Sequence, residues 1–193
     1  NTGYLAPGSI QWMTAGRGIV HEEMPNQEDG SVWGFQLWVN LPSTHKMTAP
    51  RYQDIRPEDV PEVELDNGVV KVLVGNFQGV EGPVEDVVTD PLYLDFHLHD
   101  GASQRVEVPL GNSAYVYVYQ GSAELAGTQL PERHLGILGE GDYIEVSSLS
   151  PDTRLLVVAG DPIDEPVVQY GPFVMNTVEE VQQAITDFNE GRF

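Results

Sequence analysis

The chain contains no cysteine. Disulfides, thiolate metal sites and a cysteine nucleophile are excluded, which leaves histidine and carboxylates as the side chains able to hold a metal. Basic residues are scarce as well: 9 Lys and Arg stand against 30 Asp and Glu, a formal charge of −21. Such a surface repels phosphate backbones and anionic headgroups, so neither direct nucleic-acid binding nor membrane association is expected. No apolar run approaches the roughly 20 residues that cross a bilayer, and no basic-then-apolar leader pattern opens the sequence. The cytoplasm is the default expectation for its compartment. Helical periodicity is nearly absent before residue 177.

What is present instead is β structure. Short runs of β-branched and aromatic residues at 9–13, 34–41, 69–74, 92–98, 114–119, 141–146 and 154–158 are separated by turn residues, and the 20 Gly and 14 Pro fit a fold made of turns. This spacing predicts an antiparallel sandwich or barrel. The stretch 42–64, with Pro42, Pro50, Pro57 and Pro61, cannot hold a central strand and reads as a connector. The segment 69–161 reads as one complete small barrel. One helix is expected in TVEEVQQAITDFNEG, where Thr177 and Glu180 form a capping box, Val181, Ala184, Ile185 and Phe188 share a face, and Gly191 marks the end. Its apolar stripe is expected to pack on the outside of a barrel.

The beginning resembles half a domain. Residue 1 is Asn, and about three strands precede the proline-rich stretch, fewer than a β domain needs to bury a face. Either the polypeptide has been trimmed, or its first part is missing, or a separate chain completes the sheet.

Within QWMTAGRGIVHEEMP (11–25), an extended run at 19–23 puts His21 and Glu23 on one face and Glu22 on the other. An imidazole nitrogen with a carboxylate oxygen suits a borderline divalent ion such as iron, manganese, nickel or zinc, although two ligands are too few for tight binding. By itself such a pair is a weak signal, because exposed strand faces of acidic proteins carry it by chance, and without further context the surface reading prevails. In LYLDFHLHDG, His97 and His99 make a His-x-His pair with Asp95 on the same face, while Leu92, Leu94, Phe96 and Leu98 take the core side. Those histidines are expected to be solvated. The stripe Tyr115, Tyr117 and Tyr119 is expected to serve cross-strand aromatic packing, and TAGRG and GEGD read as turns. His45 and His134 lack partners at useful spacing.

The strings QWMTAGRGIVHEEMP, FQLWVNLP (35–42), KMTAPRYQ (46–53) and GPFVMNTVEEVQQAITDF (171–188) closely resemble the pirin family of the cupin superfamily. The resemblance extends over essentially the whole chain. It implies an all-β protein of tandem cupin (double-stranded β-helix or jelly-roll) barrels: 1–45 the C-terminal part of a metal-binding first cupin, 46–66 a linker, and 67–193 a second cupin without metal ligands that ends in the helix. In this family the first barrel holds a metal, usually iron, through three His and one Glu. His21 and Glu23 match the last two of those ligands, and the His-x-His pair expected upstream is absent from this sequence. An N-terminal segment or another chain would have to complete the barrel.

For function, the resemblance implies a quercetin 2,3-dioxygenase that opens a flavonol ring with molecular oxygen at Fe2+ or another divalent transition metal. Glu23 would then be the catalytic carboxylate, either staying on the metal or swinging out as proton acceptor. The alternative is a non-enzymatic, iron-dependent redox sensor acting through a regulatory protein partner, for which an acidic surface suits a basic partner. A scaffold that has lost its metal is the third reading.

Overall fold

A strand forms where side chains of alternating polarity let one face meet a core and the other meet water, and the longest runs of this chain do so. In the computed structural model, which describes residues 3–25, 29–85 and 87–193, the strands are β1 (Ile10–Thr14), β2 (Arg51–Ile55), β3 (Glu62–Leu65), β4 (Gly68–Val74), β5 (Asn76–Phe77), β6 (Val80–Glu81), β7 (Leu92–His99), β8 (Ser103–Glu107), β9 (Ser113–Gln120), β10 (Ser122–Leu125), β11 (Thr128–Pro131), β12 (His134–Ile137), β13 (Tyr143–Ser148), β14 (Asp152–Gly160), β15 (Val168–Tyr170) and β16 (Phe173–Met175). A single α-helix among the described residues, α1 (Val178–Asn189), follows them. The chain divides into two compact units, one made of Asn1–Trp12 and Gln53–Pro162, the other of Met13–Tyr52 and Ile163–Phe193.

The first unit holds a six-stranded sheet in the order β12-β9-β14-β7-β4-β3 and a four-stranded sheet in the order β11-β10-β13-β8. Neighbouring strands in both are antiparallel. Leu94, Phe96 and Leu98 of β7, Val116 and Val118 of β9 and Leu155 and Val157 of β14 meet Val106, Ala123, Ile144 and Val146 of the smaller sheet in one buried cluster. Each such large side chain removed from water contributes about 1.5–3 kcal/mol. Phe77 closes the cluster edge-on against Phe96, with ring centroids 5.7 Å apart. A smaller cluster gathers Ile55, Val60, Val74 and Val84 with the half-buried Trp12 and Tyr93.

Polar groups inside this unit are satisfied locally. Thr153, with no exposed surface, donates to the Ser122 carbonyl at 2.9 Å, and Ser148 donates to Thr153 at 2.8 Å. Gly121 makes the close turn between β9 and β10 possible: it has φ +74°, and a Cβ there would fall 2.6 Å from the Asp152 carbonyl oxygen.

In the second unit β15 and β16 form an antiparallel hairpin, and α1 packs on it through Phe188, whose ring lies 6.2 Å from that of Phe173 and 5.8 Å from that of Phe193. The helix thus rests on this hairpin within its own unit, where the sequence suggested the outside of a barrel. Its start is the expected capping box: Glu180 N donates to Thr177 Oγ1 at 3.2 Å, and Thr177 N donates to Glu180 Oε2 at 2.9 Å. Lys46, 6% exposed, donates from Nζ to Asn40 Oδ1 at 2.7 Å and to the Val174 carbonyl at 3.1 Å. Burial lowers its pKa, with Glu165 and Glu180 pulling the other way. Glu165 in turn accepts from the Ser43 amide at 2.7 Å and from Asn176 Nδ2 at 2.9 Å.

Two stretches differ from their sequence patterns. The run 34–41 belongs to no sheet among the described residues, and Leu37, Trp38 and Val39 are 41%, 60% and 37% exposed. Its period of two is a strand pattern, but a strand also needs a neighbour for its backbone groups. The proline-rich stretch 42–64, in contrast, carries β2 and the start of β3, an edge strand, where a preceding Pro61 removes no ladder bond.

Candidate functional site

The His21/Glu23 pair belongs to the second unit and follows a turn that only glycine permits. Gly18 N donates to the Ala15 carbonyl at 3.0 Å, Arg17 N donates to the Thr48 carbonyl at 2.9 Å, and Gly16 has φ +55° with no room for a Cβ against Thr48. Beyond the turn the chain runs on outside any strand. His21 Nε2 lies 3.8 Å from Glu23 Oε1, with the two side chains 37% and 66% exposed.

That separation fits a shared ion, because two bonds of about 2.1 Å can end on donors up to about 4.2 Å apart. The donor types, one imidazole and one carboxylate, suit a borderline divalent cation. Among the described residues no group of three or more His, Cys, Asp or Glu side chains that could hold a metal comes together.

A second cluster occupies the face of the six-stranded sheet opposite its core. Tyr119 donates its hydroxyl to Asp95 Oδ1 at 2.7 Å, His97 Nε2 lies 3.2 Å from Asp95 Oδ2, and the Tyr119 hydroxyl lies 3.1 Å from His97 Nε2. The side chains of His97 and Asp95 are 26% and 19% exposed, and Tyr119 is 9% exposed. His97 is therefore held in a half-buried network and not solvated, as the alternation alone suggested; His99 at the end of β7 is exposed.

Tyr119 keeps the face of Tyr117, whose partner Leu156 also pairs with Asp95, and is more buried than the rest of its stripe. Val118 pairs with Leu155 and Gln120 with Arg154, so Tyr119 is the extra residue of a β-bulge. Burial and the Asp95 carboxylate raise its pKa well above the usual phenol range. No two-residue period reveals such a bulge, which depends on pairing with a strand more than thirty residues away. Tyr93, one turn of the pleat before Asp95, is pushed up to about 12 by burial and by the same carboxylate.

The other histidines make only local contacts: His45 Nδ1 with Thr44 Oγ1 at 2.9 Å, and His134 Nδ1 with the Glu132 carbonyl at 2.9 Å. A polar cleft of about 370 Å³ in the first unit is lined by Glu64, Asp66, Asn67, Gln78, Ser103 and Gln104 and contains none of the candidate ligands. Among the described residues no helix is long and apolar enough to cross a membrane.

Comparison with known proteins agrees with this architecture. The family model described as the pirin C-terminal cupin domain matches residues 93–193, and the model described as pirin matches residues 1–39. The chain is 42% identical to human pirin over 197 residues, covering 100% of this chain and 67% of that protein. It is 44% identical over 199 residues to a Pseudomonas aeruginosa protein provisionally named quercetin 2,3-dioxygenase, covering 99% of this chain and 70% of that one. Among solved structures, quercetin 2,3-dioxygenase from Acinetobacter baumannii superposes with a TM-score of 0.85 at 35% identity, over 96% of this chain and 67% of that one. The all-β cupin fold follows from these matches and from the two sheets of the first unit.

Proposed function

The chain belongs to the pirin family, and from that premise we propose that the protein is a metal-dependent quercetin 2,3-dioxygenase in which His21 and Glu23 bind the metal. The observation that carries this reading is the 3.8 Å approach of His21 Nε2 to Glu23 Oε1 in a chain so similar to the Acinetobacter baumannii enzyme. Ferrous iron, or another divalent transition ion, would act as a Lewis acid toward a flavonol hydroxyl.

His21 would hold the ion through an imidazole nitrogen. Glu23, the more exposed of the two with 66% of its side chain accessible, would either stay on the ion or turn from it to accept a proton from a flavonol. Gly16 and Gly18 fix where the segment leaves the turn, and so where both donors begin.

The second reading is a metal-dependent regulator that works through a protein partner, and the charge of −21 favours a basic one. Metal analysis by mass spectrometry on the protein as it occurs in its source cell, with oxygen uptake measured on quercetin, separates the two. Bound metal with oxygen uptake, both lost in His21→Ala and Glu23→Gln, supports the dioxygenase. Bound metal without uptake supports the regulator, and metal content unchanged in both variants removes His21 and Glu23 from the site.

A further inference from the structure

We infer that Asp95, His97 and Tyr119 form a second metal site, on the outer face of the six-stranded sheet, selective for a hard transition cation such as ferric iron. The Tyr119 hydroxyl stands 3.1 Å from His97 Nε2, and each has one oxygen of the Asp95 carboxylate beside it, Oδ1 at 2.7 Å from the hydroxyl and Oδ2 at 3.2 Å from the imidazole nitrogen. Ligands in adjacent positions around a six-coordinate ion, each bonded at about 2.1 Å, are about 3.0 Å apart, so the phenol and imidazole are spaced as neighbouring ligands with the carboxylate oxygens next to them. A carboxylate, an imidazole and a phenol supply only nitrogen and oxygen, the donor set that a hard cation takes.

The backbone sets this geometry. Asp95 and His97 are two apart on β7, a strand paired on both sides, and the bulge in β9 carries Tyr119 into reach of both. Bulges re-aim side chains beside sites in this way. Leu94, Phe96 and Leu98, all buried, fix the strand from the other face.

Neighbouring positive charge is already matched. Arg154, opposite His97, binds Asp152 through Nε at 3.1 Å and Nη2 at 3.2 Å, and Lys71, opposite Asp95, pairs with Glu62 at 3.3 Å. Asp95 has only the Tyr119 hydroxyl and the His97 ring as printed hydrogen-bond partners, both of them proposed ligands, and the partial exposure of Asp95 and His97 leaves a way in. Binding replaces the hydroxyl proton of Tyr119, which passes to solvent, with an oxygen–metal bond, and the His97 nitrogen gives up its contact with Asp95 to the ion.

The test is titration of the protein with ferric nitrilotriacetate, followed by visible absorption. A phenolate-to-iron charge-transfer band is expected, unchanged in the His21→Ala/Glu23→Gln double variant, abolished in Tyr119→Phe, and requiring about tenfold or more higher iron concentration in His97→Gln. Near-ultraviolet circular dichroism establishes that each variant is folded, and two independent ligands keep the test open if one variant is not. Absence of the band at saturating iron, or its survival in Tyr119→Phe, overturns the inference. Because the His21 and Glu23 variants enter the same titration, failure of the first site and failure of this one give different results.

Discussion

The ring of Phe193 covers Gly18 so closely that a Cβ on Gly18 would lie 2.5 Å from its Cγ and 2.7 Å from both Cδ atoms. Gly18 also has φ +137°, which an L side chain rarely adopts. Gly18→Ala is expected to destabilise the protein by about 1–3 kcal/mol through the combination of strain and displaced ring. Phe193→Ala in the same chain should recover the steric part and leave the backbone part. Urea denaturation of the two single variants and the double variant measures this coupling, and equal losses in Gly18→Ala with and without the Phe193 ring would refute the contact as the cause.

Removal of the Tyr119 hydroxyl by Tyr119→Phe leaves Asp95 with one fewer donor while keeping the ring. A loss of about 1–2 kcal/mol is expected, larger than for an exposed phenol because the carboxylate it serves is largely buried. Chemical unfolding of Tyr119→Phe beside Tyr115→Phe, whose residue is 39% exposed, makes the comparison.

Tyr93 gives the fold an alkaline limit. Its folded-state pKa is pushed up to about 12 from an ordinary value of 10.0, so the folded protein keeps a proton that the unfolded chain releases. The associated stability is fully present below pH about 10 and is lost as pH rises toward about 12, amounting to about 2 kcal/mol. Unfolding free energies from pH 9 to pH 11.5 should fall more steeply for the parent protein than for Tyr93→Phe; parallel curves would contradict the assignment.

Lys46→Ala removes the donor for Asn40 Oδ1 and the Val174 carbonyl and leaves a void where a buried stem lay. A loss of about 2–4 kcal/mol is expected, with Lys46→Met recovering part of it by refilling the volume. Thermal melts of the two variants read the difference. No recovery in Lys46→Met would mean that the hydrogen bonds outweigh the packing.

Thr177→Ala removes one arm of the capping box and is expected to cost about 1 kcal/mol. Glu180→Gln should cost less, because an amide oxygen still accepts from the Thr177 amide. Thermal unfolding monitored by circular dichroism ranks the two.

The parts of this fold legible in the sequence are those decided locally. Leu94, Phe96 and Leu98 alternate with Tyr93, Asp95 and His97, and the strand buries the first set as its period requires. The helix announces itself through Thr177 and Glu180, three residues apart, and ends as Gly191 takes φ +65°. The His21 and Glu23 side chains share a side, as two-residue spacing implies, but only the coordinates give their separation.

What escaped was decided by distant partners. Tyr119 reaches Asp95 because β9 gains a residue opposite β14, and nothing within AYVYVY marks the place. Phe35, Leu37 and Val39 have the alternation of a strand, but alternation cannot supply the neighbouring backbone that a sheet requires. Lys46 shows no sequence mark of burial, because one of its two partners, the Val174 carbonyl, comes from a stretch of chain 128 residues away.

The second unit is assembled from Met13–Tyr52 and Ile163–Phe193, with the whole of the Gln53–Pro162 segment threaded between them. On a ribosome, the early piece must therefore wait in the nascent chain until the late one has been synthesised, holding Lys46 and the turn before His21 without Val174 or Phe193 to cover them. Premature termination at residue 161 or 162 would release a polypeptide that keeps every strand through β14 in sequence but lacks the Phe193 ring that covers the turn before the candidate ligand pair.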